Sequence, residues 1–386
     1  MSTLLDINAY EQLDVLLRLL CAELAITETQ YGRAKRAYEW VADWLSADQT
    51  LLSGYRPLVY PQGSIPLGTT VKPRKKEEFD ADGVCVLHAA FGTLTAQQAY
   101  DLVLRRICEH ETYRQKVSPQ ARCIRLDYED QFHLDIVPAI PDFRTSGTRV
   151  LIPNRDRSGW QSTDPKGYQA WFESRQPVSL TEARLDLRAE VEPMPPQTDP
   201  TQTTPLRRVV QLAKRRRDVF FDTNARAPKS ILLSTLAAGV YTGQPNAAQA
   251  SIEIFEELLS RGRAHLSPPK VWNPSNPEEN LARHWQEDPQ NYTAYISFIG
   301  DYAARLRTLF QQRGIHSVAK ALQDLFDPAD SGAVSRAVTA FTASFQKERL
   351  GSALRMRSGQ SPSLVGHTAQ RFAASIAIPA TNFFGD

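Results

Sequence analysis

The 386-residue sequence contains only four cysteines, and no two of them form a CxxC pair. They are scattered along the chain as Cys21, Cys85, Cys108 and Cys123. This spacing argues against a disulfide framework or a structural zinc site, and it is typical of reduced thiols in a cytosolic protein. The seven histidines show no metal-ligand pairing either. We therefore expect a cytoplasmic protein without a structural zinc.

Long apolar runs are also missing. No stretch approaches the ~20 apolar residues of a membrane span, and the N-terminal MSTLLDINAYEQLD lacks the basic start of a signal peptide. The formal net charge is only +2, which gives no strong signal for a nucleic-acid partner. Residues 72–76 and 214–217 are local basic runs within this balanced chain. We expect no membrane partner.

Helical and strand-like segments alternate in the N-terminal half, which indicates an α+β fold. Residues 8–47 show helical spacing, and Thr27 with Gln30 resembles a capping box. Segments 123–128 and 132–137 flank a polar turn, as the two strands of a hairpin do. A mixed sheet with helices packed on it follows from this order.

The C-terminal half is helical almost throughout. Residues 192–205 (EPMPPQTDPTQTTP) are rich in proline and polar side chains, which is typical of a linker. We therefore predict two lobes: residues 1–200 form a mixed-sheet lobe braced by the N-terminal helices, and residues 201–386 form a helical lobe. The helices expected in the second lobe cover residues 206–221, 230–241, 248–262, 292–313 and 317–326, with a turn-rich loop at 268–278.

Two carboxylates one residue apart, in the segment FDADGVCVL, are the centre of the functional argument. Asp80 and Asp82 project from the same face of a strand, because side-chain direction repeats every second residue. Asp135 lies in the apolar segment FHLDIVPAI, where an ionised carboxylate is costly unless it is paired or bound to a metal. Upstream, Gly63 and Ser64 form a turn whose N–H groups and hydroxyl suit phosphate oxygens. These parts predict metal-assisted chemistry on a nucleoside triphosphate.

The third acid has competitors. Asp127 also ends an apolar run, whereas Asp130 lies in the polar turn and looks like a turn former. A DxD pair alone is a weak signal, because paired aspartates are common at strand ends and turns. The Gly-Ser turn and an acid embedded in an apolar strand strengthen it, and we choose Asp135. His133 shares the strand face of Asp135, and a structural role is expected for it.

Together, these segments resemble the DNA-polymerase-beta-like nucleotidyltransferase superfamily, whose pattern is Gly with Gly or Ser, a spacer, Asp-x-Asp/Glu, and a third acid on a later strand. More narrowly, QGSxxLGTTVKP, EFDADGVCVL and LDIVPAI are similar to the bacterial CD-NTases, the cyclic-oligonucleotide synthases related to animal cyclic GMP-AMP synthase and the oligoadenylate synthases. The motifs cover residues 60–140 and a few later positions. Two departures are the long spacer between Ser64 and Asp80, which fits the CD-NTases, and Gly83, which stands at a usually apolar position.

The resemblance implies a two-lobed polymerase-beta-like fold and two-metal nucleotidyl transfer. Asp80 and Asp82 would hold two Mg²⁺ ions, with Mn²⁺ as the alternative metal. Asp135 would help to hold the ion beside the attacking ribose hydroxyl.

A nucleotide-binding set drawn from both lobes is also implied. The Gly-Ser turn would bind the β- and γ-phosphates, and the helical lobe would complete the cleft with a lysine and a serine. The set comprises Gln62, Gly63, Ser64, Lys214 and Ser230. Two alternatives stay open: Lys214 starts a run of four basic residues that could be a solvated face, and Ser230 could be a helix cap, with Ser234 in its place. Arg217 is a candidate for a second phosphate contact.

By resemblance, the protein condenses ATP, GTP or both into a cyclic di- or trinucleotide that activates a downstream effector in antiphage signalling. The alternatives are a linear, template-independent polymerase of the oligoadenylate or RNA-tailing type, and an inactive nucleotide-binding scaffold. A polymerase would favour an extended basic groove, which the net charge does not support. Some relatives are conjugated at a C-terminal tail by a ubiquitin-transfer-like partner, and the terminal NFFGD is a candidate for such a tail.

Overall fold

The computed structural model describes residues 2–74, 78–90, 92–128, 131–145, 147–176, 191–329 and 331–357. The helices in these ranges are α1 (Ser2–Leu24), α2 (Glu28–Ser46), α3 (Ala96–Cys108), α4 (Glu111–Arg114), α5 (Pro165–Ser174), α6 (Pro205–Phe221), α7 (Ser230–Val240), α8 (Ala247–Ala264), α9 (Arg283–Glu287), α10 (Gln290–Gln311), α11 (Ile315–Phe326) and α12 (Ala333–Arg357). The strands are β1 (Leu58–Gln62), β2 (Phe79–Val86), β3 (Val117–Pro119), β4 (Ile124–Tyr128), β5 (Phe132–Pro141), β6 (Val150–Pro153), β7 (Trp160–Thr163), β8 (Trp272–Asn273) and β9 (Asn276–Asn280).

Seven of these strands form one mixed sheet, which confirms the α+β fold. The central strands lie in the order β1-β2-β5-β4-β3, and β6 and β7 extend the sheet from the end of β5. β2 and β5 run parallel, and the other neighbouring pairs are antiparallel. The predicted hairpin is the pair β4–β5, although Glu129 and Asp130 in its turn lie outside the described residues.

The two faces of the sheet differ because side chains alternate along each strand. One face carries apolar residues such as Ala81, Cys85, Leu134 and Ile136, which are buried in a core shared with α2 and α3. The opposite face of β2 carries the predicted acid pair and lines a cleft against α6 and α7. The sheet therefore separates a packed core from a polar, open side.

Gly83 makes room for an aromatic ring behind the acids. A Cβ at this position would lie 3.2 Å from Tyr38 Cε2 and 3.2 Å from Ile136 Cδ1. Tyr38 of α2 is fully buried, and its hydroxyl donates to the carbonyl oxygen of Glu192 at 2.8 Å. The Tyr38 ring of α2 thus fills the space that an apolar side chain at position 83 would otherwise occupy.

The two N-terminal helices pack against different parts of the molecule. α2 lies on the sheet, where Tyr31 and Val41 belong to the core behind the strands. α1 instead contacts α6, α8 and α12, and its Leu16 and Leu20 are buried in the core of the C-terminal helices. Phe172 of α5 belongs to the same helical core. The lobe boundary near residue 200 stays a prediction, and core packing crosses it at α1 and α5.

Most sequence-based element predictions are confirmed. The five helices expected after residue 205 occur with ends shifted by at most two residues. The capping box is present, since Thr27 Oγ1 accepts from the Gln30 N–H at 3.2 Å and Gln30 Oε1 accepts from the Thr27 N–H at 2.9 Å. None of the described helices is long and apolar enough to cross a membrane.

Two elements were not expected from the sequence. The hairpin β8–β9 falls in the region predicted as a turn-rich loop, because its polar sequence lacks the alternation that indicates a strand. Helix α12 follows the last predicted helix and extends to Arg357. The candidate conjugation tail NFFGD lies outside the described residues.

Gly83→Val should lower the free energy of unfolding by about 1–3 kcal/mol, because the added methyl groups overpack the contact with Tyr38. Gly239→Ala is the control, at an exposed position of α7 with open space around it, and it should stabilise by up to ~1 kcal/mol. Urea denaturation followed by circular dichroism measures both. A Gly83→Val protein as stable as the wild type would contradict the close packing of Tyr38 on β2.

Candidate active site

Four polar residues form one row across the sheet. Register places Gln62 of β1 opposite Asp82 of β2, Asp82 opposite Asp135 of β5, and Asp135 opposite Arg125 of β4. Side chains of directly opposed residues share a face of a sheet, so all four point to the cleft side. Asp80, two residues before Asp82, lies on the same face. The structure therefore brings the three predicted acids together.

Arg125 is the counter-charge in this row. Its Nε and Nη2 donate to the two carboxylate oxygens of Asp135 at 2.8 Å each, and Nη2 also donates to Asp80 Oδ1 at 3.3 Å. Such a fork-to-fork pair fixes the orientation of the carboxylate. The bond to Asp135 raises the pKa of Arg125 above its already high value. Sequence reasoning did not single out Arg125, although the predicted hairpin places it opposite Asp135 by register.

Asp82 lies between Gln62 and Asp135 in this row. Burial is the main cause that raises its pKa to about 7, followed by the negative charges of Asp80 and Asp135. Burial also raises the pKa of Asp80, while Arg125 lowers it. Even with Arg125 beside them, the ionised carboxylates of this row repel one another, so a further cation would stabilise them.

This donor set fits a divalent cation. Carboxylate oxygens are hard ligands of the type that magnesium binds, and an added cation would relieve the repulsion that raises the pKa of Asp82. Among the residues that the structure describes, no three acidic, thiol or imidazole groups already stand in a ligand arrangement. Arg125 occupies the position between Asp80 and Asp135, so we infer that metal binding would shift at least its contact with Asp80.

Asp127, the other candidate for the third acid that the structure describes, lies beside a histidine. Asp127 is two residues from Arg125 on β4, and its Oδ1 lies 2.9 Å from His133 Nδ1. Glu78 Oε2 approaches the same nitrogen at 2.8 Å. His133 therefore sits between two carboxylates on β5, next to the acid row. Asp130 lies outside the described residues.

The turn after β1 brings backbone close to Asp82. Gly63 has φ +78°, which favours glycine, and a Cβ there would lie 2.5 Å from Asp82 Oδ2 and would displace this carboxylate oxygen. Ser64 Oγ lies 3.2 Å from Thr70 Oγ1, and its carbonyl oxygen accepts from the Thr69 N–H at 3.0 Å. The turn closes on itself and stands beside the acids.

Side chains of α6 hold the loop that follows this turn. Four of them donate to carbonyl oxygens of residues 67–72, at 2.8–3.1 Å. The donors are Arg207, Gln211, Lys214 and Arg215, and their acceptors are Leu67, Thr70, Thr69 and Lys72, respectively. Lys214 and Arg215, the first two residues of the 214–217 run, therefore hold this loop through hydrogen bonds and do not form a solvated face.

Lys214 is buried in the cavity wall. Its Nζ donates to the Thr69 carbonyl oxygen at 3.0 Å and to Thr69 Oγ1 at 2.9 Å. Burial, and after it the charge of Arg217, lower the pKa of Lys214 to about 7. The negative charge of Asp82 acts in the opposite direction, which places the lysine within electrostatic reach of the acids. An anionic ligand would raise this pKa again.

Ser230 is the first residue of α7 and not its cap, because Lys229 takes the N-cap position. Its Oγ accepts from Arg217 Nη1 at 2.8 Å, and its carbonyl oxygen accepts from Ser234 Oγ at 3.0 Å. Arg217 also binds Asp218, through Nε at 2.7 Å. The free N–H groups at the start of α7 make this end suitable for an anion.

These groups surround one cavity of about 570 Å³. It lies between the turn, β2, and the helices α6 and α7. Seven of the eight predicted site residues line it, namely Gln62, Gly63, Ser64, Asp80, Asp82, Lys214 and Ser230. Asp135 joins them through its register with Asp82. The cavity also has Arg74 and Arg217 in its wall, so it combines a carboxylate end with a basic end.

The chain is similar to known proteins over most of its length. Residues 13–175 match the Second Messenger Oligonucleotide or Dinucleotide Synthetase domain. A c-di-GMP synthase of Roseivirga ehrenbergii is 35% identical over 349 residues, which cover 87% of this chain and 90% of that protein. The cyclic dinucleotide synthase CdnG of Bradyrhizobium diazoefficiens is 26% identical over 74% of this chain and 73% of that protein.

A solved structure shows the same fold. The structure of the B. diazoefficiens CD-NTase CdnG in complex with GTP superposes with a TM-score of 0.68 at 24% identity, covering 86% of this chain and 99% of that one. The similarity to the R. ehrenbergii enzyme extends over nearly the whole length of both chains. The chain therefore belongs to the bacterial CD-NTases, a family of nucleotidyltransferases.

Proposed function

We propose that this enzyme joins two nucleoside triphosphates into a cyclic dinucleotide and releases pyrophosphate at each of two steps. We expect it to prefer GTP to ATP as the substrate. The observation that carries the proposal is the registered pair Asp82 and Asp135, with Asp80, at one cavity with the Gly63 turn. The 35% identical relative is a c-di-GMP synthase, which makes cyclic di-GMP the first product to test. A cyclic trinucleotide and a linear product are the alternatives.

The three acids would hold two Mg²⁺ ions, which supply an activated ribose hydroxyl and charge stabilisation of the departing pyrophosphate when bound. The chain itself does the positioning. Arg125 fixes the carboxylate plane of Asp135 through two hydrogen bonds. Gly63 lets the backbone approach Asp82 closely enough for a phosphate to meet turn and acid together.

The triphosphate would be held from both sides of the cavity. On one side stand the N–H groups of the turn and the Ser64 hydroxyl, and on the other stand Lys214 and the start of α7 at Ser230. These donors neutralise the charge that develops on the leaving pyrophosphate. Because both elements line one cavity, the nucleotide itself would bridge the sheet and the helices. We further propose that the enzyme acts in the cytoplasm and that its product activates a downstream effector.

The proposal is tested by incubating the pure enzyme and Mg²⁺ with α-³²P-labelled GTP, ATP or both. A labelled product that resists phosphatase and has the mass of cyclic di-GMP is the expected outcome. Asp82→Asn and Asp135→Asn should each lower the rate by roughly 10³-fold or more, because several kcal/mol of charge stabilisation is lost. Asp127→Asn should stay within a few-fold of the wild type. A phosphatase-sensitive ladder would identify a linear polymerase, and a wild type without turnover would favour the scaffold.

Gly63→Ala should abolish nucleotidyl transfer because its Cβ displaces the Asp82 carboxylate. Gly92→Ala is the matched control: Gly92 has φ +86°, but nothing lies within 4 Å of its added Cβ. Both variants should lose about 1–2 kcal/mol of stability from the left-handed backbone. Stability from thermal melts and rates of GTP turnover separate the two effects. Equal activity of the two variants would contradict the close approach to Asp82.

Lys214→Met should weaken GTP binding by roughly tenfold or more, since a charge-assisted hydrogen bond to phosphate is lost. With a pKa of about 7 in the free enzyme, Lys214 is mostly neutral at pH 8. A bound triphosphate raises this pKa, so wild-type binding should take up a proton at pH 8. Calorimetry in buffers of different ionisation enthalpy, with Ca²⁺ to prevent turnover, measures this uptake.

Lys320→Met, at an exposed i,i+4 ion pair with Asp324, is the control for loss of a lysine and should bind like the wild type. If Lys214→Met takes up as many protons as the wild type, Lys214 does not contact the phosphates.

A further inference from the structure

A group of basic residues next to the cavity has no role in the site described above. Arg122 precedes β4, Arg155 lies in the turn between β6 and β7, and Lys229 is the N-cap of α7. Three segments distant in sequence therefore bring cations to one place. We call Arg122, Arg155 and Lys229 the basic rim.

Two residues of the basic rim are neighbours of residues that line the cavity. Arg122 Nη2 donates to Gln161 Oε1 at 2.9 Å, and Gln161 lies two residues before Thr163, on the same face of β7. Thr163 lines the cavity, as does Ser230 directly after Lys229. Arg122 therefore lies near the cavity on the side of β7, and Lys229 lies near it on the side of α7.

Positive charge in the rim is poorly compensated. Burial and, after it, the charges of Arg122, Arg283 and Arg155 lower the pKa of Lys229, so these cations lie within electrostatic reach of one another. Arg283 is paired with Glu287 at 3.0 Å. Within the described part of the chain, no carboxylate lies within 4.0 Å of the charged nitrogens of the basic rim.

One acid stands near the rim, but it is committed elsewhere. Glu279 Oε2 accepts from Thr163 Oγ1 at 3.1 Å and from Asn273 Nδ2 at 2.8 Å. Burial raises the pKa of Glu279, whereas its hydrogen bonds with Asn273 and Thr163 and the charges of Arg122 and Lys229 lower it. Three cations around one carboxylate leave a net positive site near the edge of the cavity. Such a site attracts a polyanion.

The order of the strands indicates which part of the substrates can reach the basic rim. The Gly-Ser turn follows β1, the acids lie on β2 and β5, and Arg122 precedes β4, in the sheet order β1-β2-β5-β4. If the donor triphosphate binds at the turn, pyrophosphate leaves toward β1. In-line attack requires the acceptor nucleotide to approach from the opposite side of the acids, which is the side of β5 and β4.

The acceptor nucleotide carries a triphosphate of its own. In the first step its ribose hydroxyl attacks the donor α-phosphorus and forms one phosphodiester bond. The donor loses pyrophosphate, the hydroxyl proton goes to solvent, and the acceptor's 5′-triphosphate is unchanged. It must remain intact, because the second, ring-closing step uses it as the donor. Its charge needs a binding place apart from the Gly-Ser turn during the first step.

We propose that the basic rim, Arg122, Arg155 and Lys229, binds the 5′-triphosphate of the acceptor nucleotide in the first transfer step. This inference rests on the proposed function, since it assigns a subsite to the same reaction. It separates two roles for basic side chains around the cavity: Lys214 for the donor triphosphate, and the rim for the acceptor. The rim residues are positioning residues, because they touch no reacting atom.

The test requires donors and acceptors that cannot exchange roles. α-³²P-labelled 2′,3′-dideoxy-GTP has no accepting hydroxyl and serves only as donor. Guanosine-5′-(α,β-methylene)triphosphate cannot lose pyrophosphate and serves only as acceptor, and guanosine is the acceptor without phosphates. With saturating donor, the rate of labelled dinucleotide formation gives the KM for each acceptor.

For the wild type we expect a KM for the triphosphate acceptor well below that for guanosine. Arg122→Gln and Arg155→Gln should each raise the KM of the triphosphate acceptor by roughly tenfold, the equivalent of one charge-assisted contact, and leave the KM of guanosine within twofold. Lys229→Gln should act in the same direction. Arg155 is exposed, so Arg155→Gln should leave the melting temperature unchanged. Arg261→Gln, from an exposed ion pair on α8, is the control.

The outcomes are distinct. If the rim variants raise the KM of both acceptors equally, the rim has only a structural role and the inference is overturned. Equal KM values for the two acceptors in the wild type would also overturn it, while leaving the enzyme a nucleotidyltransferase. If the wild type forms no labelled dinucleotide with either acceptor, although the dideoxy donor binds, the proposed function itself fails.

Discussion

Three carboxylates on neighbouring strands, close enough for their charges to raise the pKa of Asp80 and Asp82, are the constraint on which the site depends. Asp80 and Asp82 repel Asp135 across a parallel strand pair, and Asp82 is half-buried as well. Arg125 makes this arrangement stable in the free enzyme, because it binds both oxygens of Asp135 and one of Asp80. In the free enzyme, Arg125 thus provides the positive charge that a bound metal ion would provide during the reaction. Loading the site is then a competition between a guanidinium and a divalent ion for the same oxygens.

The acid row also restricts the strands that carry it. A slip of one residue between β2 and β5 would turn Asp135 into the core and an apolar residue into the cleft. The core behind the strands prevents this slip, since Ala81, Leu134 and Ile136 are fully buried there. Tyr38 adds to the restriction, because its ring fits only where β2 has Gly83. Packing on one face of the sheet therefore determines the spacing of charges on the other.

The sequence predicted the chemistry of this site better than its geometry. Spacing alone placed Asp80 and Asp82 on one face, and hydrophobic context favoured Asp135 over Asp127. The register that joins Asp82 to Asp135 was beyond prediction, because parallel strands separated by some 50 residues have no local signal for their alignment. Arg125 could have been found from the hairpin, by counting back from Asp135 across the turn. The basic run at 214–217 was ambiguous, since charge pattern cannot distinguish a solvated face from donors that hold buried carbonyl groups.

The side-chain donors of α6 couple the two halves of the cleft. α6 donates four side-chain hydrogen bonds to the carbonyl groups that follow the Gly-Ser turn, so the helix determines where the phosphate-binding backbone lies. α6 also shares its core with α1 and α8 and carries Arg217, which holds Ser230 of α7. A movement of the helices would therefore carry the turn with it and change its distance from Asp82. Lys214 is at the centre of this coupling, because the same Nζ that holds Thr69 is the group that faces the acids' charge across the cavity. A bound triphosphate would compete with Thr69 for that ammonium group and so loosen the tie between helix and loop at the moment when the nucleotide itself bridges them.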